Sequence, residues 1–408
     1  MWTRTACVAL ALLSAGAPAA GQTVLSEADA VAQLSPDSPR IRTIRSAADI
    51  ARADVGAAAR WPNPIVTFNR EAVAGVTEHM LLITQPLAIT GRRQLEADAA
   101  AALVDASVRR GDEEVRTVRA ALRLAYTDLV LAQRQEAAWA AARDRLTQIA
   151  GLVAQRERAG DAAGYDSLRA EREVIAVEES LSAARVARAR AQADLGGFLA
   201  QPGDTTLLAA ATPGPVANPV PVPGLDELLL RARSVRGEVA ASEKEIESAR
   251  LGERAAGRRL VPEPELVAGT KWSTFGGGDV GGVVAVHVPL PVFNAAKPEQ
   301  ARARARLAQA EASAAAFDVS LRAQVAGVRA ALLEHRAAAD RHRAFWSTRA
   351  DQLERIAQVS YDAGEQGILD LLDAYRSGAA GRVRQAELDA AVRRAEIELE
   401  LVTGWEMQ

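Results

Sequence analysis

Cysteine is almost missing from the chain: Cys7 is the only one in 408 residues. It lies inside an apolar N-terminal run, so everything that follows is thiol-free, which excludes a disulfide framework and thiolate metal sites. Aromatic residues are also scarce, at 4%, although 49% of the chain is hydrophobic. Such a composition cannot fill a thick globular core. Its long tracts of Ala, Arg, Glu, Leu and Val favour long helices joined along thin, small-residue seams. Lysine occurs only at Lys244, Lys271 and Lys297, and the formal net charge is -3. No electrostatic case for nucleic acid or an acidic surface follows from that balance. Long apolar runs are absent beyond the N-terminus, so a membrane could be entered only through strands.

The N-terminal run reads as a secretory signal over residues 1–21. Arg4 supplies the positive start, Ala6 to Gly16 the apolar stretch, and Ala17-Pro-Ala-Ala-Gly21 a small-residue cleavage zone. An ordinary buried helix is the alternative.

What is present is a chain written twice. Pro62-Asn63-Pro64 recurs as Pro262-Glu263-Pro264, an offset of 200 residues, and Pro86-Leu87 as Pro289-Leu290, an offset of 203. Ala159-Gly160-Asp161 recurs as Ala363-Gly364-Glu365, an offset of 204, and Gly197-Phe198 as Gly404-Trp405, an offset of 207. The expected division is a first repeat at 22–201, a Pro-rich extended connector at 202–224 and a second repeat at 225–408. The β-hairpins fall at 65–84 and 265–288, and the long helical hairpins at 94–199 and 299–404.

Each half opens on a helical stretch, Ala28 to Arg60 or Leu225 to Arg259, stopped by the Pro-X-Pro. Two strands follow: Ile65 to Val73 with Glu78 to Thr84, and Glu265 to Phe275 with Val280 to Val288. Gly281-Gly282 weakens the last of these. Strands of roughly nine to eleven residues suit a tilted transmembrane β-strand. Helical tracts from Gln94 to Arg158 and from Glu299 to Tyr361 come next. In the first, Val118, Ala125, Ala132, Trp139, Leu146 and Val153 recur every seventh residue, with Val115, Leu122 and Leu129 as a second seam position, a coiled-coil-like pattern. A helix of this length reaches on the order of 100 Å and acts as a strut. Four strands cannot close a barrel, since closed barrels begin at about eight. Several copies must share one, and three copies would supply twelve strands.

Other signals are weaker. His335 and His342 are too far apart to chelate one ion, and neither they nor His79 and His287 acquire the carboxylate or cysteine partners of a metal site. Gly276-Gly-Gly-Asp279 lacks the Lys-Ser/Thr of a phosphate loop and reads as a hairpin turn. Trp61, Phe68, Trp272 and Phe275 flank the strands, either as interfacial girdles or as core aromatics. Neither a nucleophile–base pair nor a His-Glu-x-x-His is present, so no enzyme activity and no cofactor are expected.

This grammar resembles the TolC family of outer-membrane efflux proteins over the whole chain past the signal. Gln85-Pro86-Leu87 with Thr90-Gly91-Arg92-Arg93, and Val288-Pro-Leu-Pro-Val-Phe-Asn294, resemble its CzcC-like, heavy-metal-associated branch, although Ala295-Ala-Lys-Pro298 departs from that branch's continuation. The resemblance implies a mainly α fold with a small transmembrane β portion. It implies a homotrimer in which long coiled-coil helices form an α-barrel and the strands a shared 12-stranded β-barrel in outer-membrane lipid. It also implies a periplasmic adaptor and an inner-membrane pump of the resistance-nodulation-division (RND) type as partners, with no nucleic acid. Tyr361-Asp-Ala-Gly364-Glu-Gln-Gly-Ile368-Leu-Asp370-Leu-Leu-Asp373 resembles the periplasmic tip of the family. Asp370 and Asp373 share a helix face and would ring the pore aperture. By resemblance Tyr361, Asp166 and Gln366 occupy the closed-state latch, with Gln366 where the family has arginine. Gly160, Gly364 and Ile368 mark the adaptor-docking tips. The alternative function is a periplasmic coiled-coil adaptor or scaffold without a pore.

Overall fold

In the computed structural model of the chain, residues 23–160, 163–199, 205, 208–211, 220–293 and 295–406 are described. The signal at 1–21, with Cys7, and most of the connector at 202–224 lie outside the described residues.

The fold is mainly helical with a small sheet portion. In chain order it runs β1 (Thr23–Leu25), α1 (Glu27–Ala32), α2 (Pro39–Ala59), β2 (Ile65–Val73), β3 (Val76–Pro86), α3 (Arg92–Ala159) and α4 (Gly164–Gly196). Then come β4 (Leu208–Ala210), α5 (Leu225–Val235), α6 (Gly237–Arg258), β5 (Glu265–Ser273), β6 (Val280–His287), α7 (Lys297–Asp362) and α8 (Ile368–Thr403). The two longest helices, α3 and α7, have 68 and 66 residues, on the order of 100 Å each. Both start beside the sheet and end at a reversal, so sheet and reversals occupy opposite ends of the struts.

The seven-residue seam of α3 is the face that packs. Ala125, Ala132, Leu146 and Val153 are buried, as are Leu122 and Leu129. The internal repeat is visible in the cores. Leu122, Ala125 and Leu129 pack with Leu195 in one cluster. Val325, Val328 and Leu332, their counterparts at the offset of 203, pack with Val402 and Trp405 in another. Full burial of one such leucine or valine contributes roughly 1.5–3 kcal/mol.

Three expectations are corrected. The stretch from Ala28 to Arg60 is two helices, because Ser38 accepts from the Ile41 N–H and Pro39 starts a new helix at its first position. The stretch from Leu225 to Arg259 is likewise divided at Arg236, whose extended backbone closes one helix and opens the next. Within the connector, β4 is not a free extended segment. It pairs in parallel with β1, and the Tyr126 hydroxyl lies 2.8 Å from the Ala211 carbonyl and 3.0 Å from that of Leu25. The Gly281-Gly282 pair does not interrupt its strand: Gly282 stands opposite Thr270 and Gly281 opposite Lys271.

Candidate functional site: a two-faced sheet and a paired helix tip

The main sheet is antiparallel with the order β2-β3-β5-β6. Its register sorts the side chains into two faces, since alternate residues point to opposite sides. Val66 stands opposite Ile83, Ile83 opposite Ala268 and Ala268 opposite Val284. Phe68, Leu81, Leu266 and Val286 share that face, and most of these side chains are exposed. Arg70 interrupts it near the hairpin turns, beside His79 and Trp272. There His79 stacks on Trp272 with ring centres 5.2 Å apart, and Phe68 lies 6.3 Å from Trp272. These aromatics therefore band an exposed apolar surface and are not core residues. Trp61, at the other end of the strands, is also exposed and carries the Arg93 guanidinium 4.7 Å above its ring. The opposite face holds Glu71, Glu78, Glu265 and Lys271. Glu78 and Lys271 pair at 2.7 Å. Within the chain β2 and β6 are edge strands, and the sheet does not close.

At the far end, each long helix stops on a glycine. Gly160 (φ 84°) and Gly364 (φ 76°) both take the left-handed conformation, with open space around the missing Cβ. After α7 the Gly364 N–H donates to the Tyr361 carbonyl at 3.0 Å and the Glu365 N–H to that of Ser360 at 2.9 Å. This pairing satisfies the last helical carbonyls as glycine termination requires. Between the two reversals a single cluster holds Leu146, Val153, Val177, Ile368, Leu371 and Tyr375, so the two hairpins form one packed tip.

The expected site residues are distributed over this tip. Asp370 is exposed in the first turn of α8, where a negative charge favours the helix dipole. Among the described residues it has no hydrogen-bond or ion-pair partner. Asp373 is exposed one turn on, but it accepts from Arg376 Nη2 at 2.8 Å, and Arg376 Nε also lies 3.8 Å from Glu173 on α4. The two carboxylates are thus unequal, one free and one partly neutralised. Arg376 was not singled out by the sequence reading, although its spacing of three from Asp373 was the available signal.

The residues expected in a latch lie at the two reversals: Asp166 in the first turn of α4, Tyr361 in the last turn of α7 and Gln366 between α7 and α8. Tyr361 and Asp166 make no hydrogen bond to each other in the described structure. Instead the Arg156 guanidinium of α3 lies 5.1 Å from the Tyr361 ring centre, and its Nη2 is 3.8 Å from Asp362 Oδ1. Gln366 is exposed, and its backbone N–H donates to the Ser360 carbonyl at 3.2 Å. Ile368, expected at a docking tip, is buried within the chain. Only 4% exposed, it anchors the tip from within, while Gly160 and Gly364 remain at the surface.

A second tie was also missed. Arg145 on α3 reaches the Tyr375 hydroxyl of α8 at 3.1 Å, with its guanidinium 5.3 Å from the ring centre. Tyr375 falls on the apolar stripe Ile368, Leu371, Leu372, Tyr375 and Ala379, a helical spacing that marks it for the interior.

Among the described residues no three His, Cys, Asp or Glu side chains gather as a metal cluster, and no helix is long and apolar enough to cross a membrane. No curated protein matches the chain. Residues 228–405 match the family model described as outer membrane efflux protein. Among solved structures, a membrane protein from Pseudomonas aeruginosa is similar at 20% identity and a TM-score of 0.78, covering 93% of each chain. CusC is similar at 16% identity and 0.78, covering 94% of this chain and 93% of that one. The outer membrane protein VceC from Vibrio cholerae is similar at 16% identity and 0.75, covering 94% and 97%. Other similar solved structures include the outer-membrane channels OprN, CmeC from Campylobacter jejuni and MtrE from Neisseria gonorrhoeae. The second half of the chain thus carries the pattern of the outer membrane efflux protein family, and nearly the whole chain has the fold of solved outer-membrane channels.

Proposed function

We propose that the chain is one subunit of an outer-membrane efflux duct, three copies of which surround a single pore. The observation that carries this reading is the sheet. It has an exposed apolar face, a face bearing its carboxylates and lysine, and two unpaired edges. Lipid is the environment in which such an apolar face is stable, and closure with other strands is what satisfies the edges. Twelve strands from three copies close a barrel whose charged face lines the lumen. The helices, on the order of 100 Å long, continue the duct through the periplasm as an α-barrel.

The duct conducts passively, and an inner-membrane RND pump supplies the energy through a periplasmic adaptor docked around Gly160 and Gly364. Asp370 and Asp373 line the aperture, and Tyr361 belongs to the resting latch. An acidic aperture attracts cations, and the likeness of Gln85-Pro86-Leu87 and Val288 to Asn294 to the CzcC-like branch supports heavy-metal cations as cargo. A pore-free adaptor is disfavoured because Val66, Phe68, Val284 and Val286 stand exposed together, an apolar surface that a water-soluble scaffold would have to cover.

Fractionation and mass test the reading. The protein is expected in the outer-membrane fraction after carbonate washing, with the native mass of a trimer in detergent. Release by carbonate as a monomer would replace it with the adaptor reading. Unchanged sensitivity of a deletion strain to zinc, cobalt, cadmium, copper and silver would remove heavy metals as the cargo.

A further inference from the structure

The two halves of the chain meet in the sheet once, where β3 pairs with β5, and the joint extends past the strands. Pro86 stands opposite Glu265, and the Leu87 N–H donates to the Pro264 carbonyl at 2.9 Å. Thr90 Oγ1 donates to Glu263 Oε1 at 2.6 Å, and Arg92 pairs with the same carboxylate at 2.9 Å. Pro86, Leu87 and Pro262 to Glu265 are half-buried by this contact.

The repeat writes the same segments a second time, at the two free edges. β6 and Val288 to Phe293 correspond to β3 and its continuation at the offset of 203, as Pro289-Leu290 corresponds to Pro86-Leu87. Trp61 to Pro64, leading into β2, corresponds to Val261 to Pro264 at the offset of 200. Here no second strand of the chain lies against them, although Arg93 sits over the Trp61 ring. Leu290 is 73% exposed, Phe293 103% and Trp61 58%. The Pro-Leu segment is thus half-buried at Pro86 and Leu87, where it finds its counterpart, and exposed at Pro289 and Leu290, where the chain provides none, while Trp61 and its counterpart Val261 are both exposed.

We propose that a second copy of this chain provides it, in the register that the internal joint dictates. The β6 edge of one copy pairs antiparallel with the β2 edge of the next, placing Pro289 opposite Ile65, His287 opposite Thr67 and Val286 opposite Phe68. The Leu290 N–H donates to the Pro64 carbonyl of the next copy. This inference rests on the shared-barrel reading and specifies its interface. The register keeps both faces continuous, since Val286 and Phe68 lie on the apolar face and His287 and Thr67 on the other. A slip of one residue would turn one strand inside out.

The two kinds of joint differ in chemistry. At the same offsets, Glu263 becomes Asn63, Arg92 becomes Ala295 and Thr90 becomes Phe293. The joint made when the chain folds is held by an ion pair. The joint made when copies assemble seats Phe293 on the Trp61 to Pro64 segment.

Because Cys7 is the chain's one cysteine, paired cysteines introduced into the full-length protein on a Cys7→Ser background report the register directly. In the alternation fixed by the Leu87 to Pro264 bond, Thr67 and His287 form a non-hydrogen-bonded pair, which places their Cβ atoms within disulfide reach. Thr67→Cys/His287→Cys is expected to give reductant-sensitive dimers and trimers on denaturing electrophoresis. Thr67→Cys/Val283→Cys, on the same face but four residues out of register, is expected to give none. Cross-linking of the second pair instead of the first, or of neither pair in a protein with trimer mass, overturns the register and leaves the shared barrel standing. A monomer mass with neither pair linked overturns both. Phe293→Glu is expected to deplete the trimer while Arg92→Ala retains it, and wild-type assembly of Phe293→Glu would overturn the apolar joint.

Discussion

Arg156 near the end of α3 holds its guanidinium 5.1 Å from the centre of the Tyr361 ring in the last turn of α7. The contact joins the two hairpins at the tip, and it addresses the ring rather than the hydroxyl. A cation over a tyrosine face contributes about 0.5–1 kcal/mol at an exposed site.

If this contact keeps the tip closed, Arg156→Ala and Tyr361→Ala should both raise the resting open probability of the reconstituted protein. Tyr361→Phe, which keeps the ring, should behave as wild type. Opening by Tyr361→Phe together with a silent Arg156→Ala would return the latch to the hydroxyl and Asp166.

Gly381 marks a close approach of α8 to an aromatic ring on α7. A Cβ there would lie 2.6 Å from the Trp346 ring, and the indole is fixed between Phe345 and His342, at 5.6 and 5.9 Å between ring centres. Gly381→Ala gains about 1 kcal/mol of helix propensity but overpacks a rigid ring, which costs about 1–3 kcal/mol. The melting temperature of the variant is expected to fall, and an equal or higher value would show that Trp346 moves aside freely.

Acid should loosen the junction where α5 meets α6. Arg236 donates to both carboxylate oxygens of Glu238, at 3.0 and 2.6 Å. Burial alone would raise the Glu238 pKa, but the bonds from Arg236 and the Glu238 backbone N–H, with the charges of Arg236 and Arg116, hold it below its ordinary value of 4.5. A depressed carboxylate stabilises the fold fully above the ordinary value, and that stability is lost as pH falls through the depressed one. The gap in melting temperature between wild type and Glu238→Gln should be constant near neutrality and shrink below pH 4.5. A gap that persists unchanged in acid would mean that the pair does not act through charge.

The elements were legible wherever a local pattern carries them. The seven-residue seam through Leu146 and Val153 sets the strut, the Pro-X-Pro pairs stop the helices, and the glycine after each strut places the reversals. The break at Arg236 was not legible, because it is set by contact. The Gly237 N–H donates to the buried Glu113 at 2.9 Å, a partner more than a hundred residues earlier. β4 exists only by pairing with β1, so three residues of strand carry no signal of their own. At the tip, the spacing of Asp370 and Asp373 shows a shared face but not their inequality, which comes from Arg376. Arg156 is one arginine in an arginine-rich tract, and only the folded hairpins single it out.

The central claim is a pore with an acidic aperture, and single-channel recording of the purified protein in a planar bilayer tests it most directly. Wild type should give small, cation-selective openings that a multivalent cation blocks. Asp370→Ala should abolish the block, and Asp373→Ala should weaken it less, because Arg376 already offsets that carboxylate. An absence of conductance from wild type would contradict the channel, and a block indifferent to both substitutions would contradict the aperture.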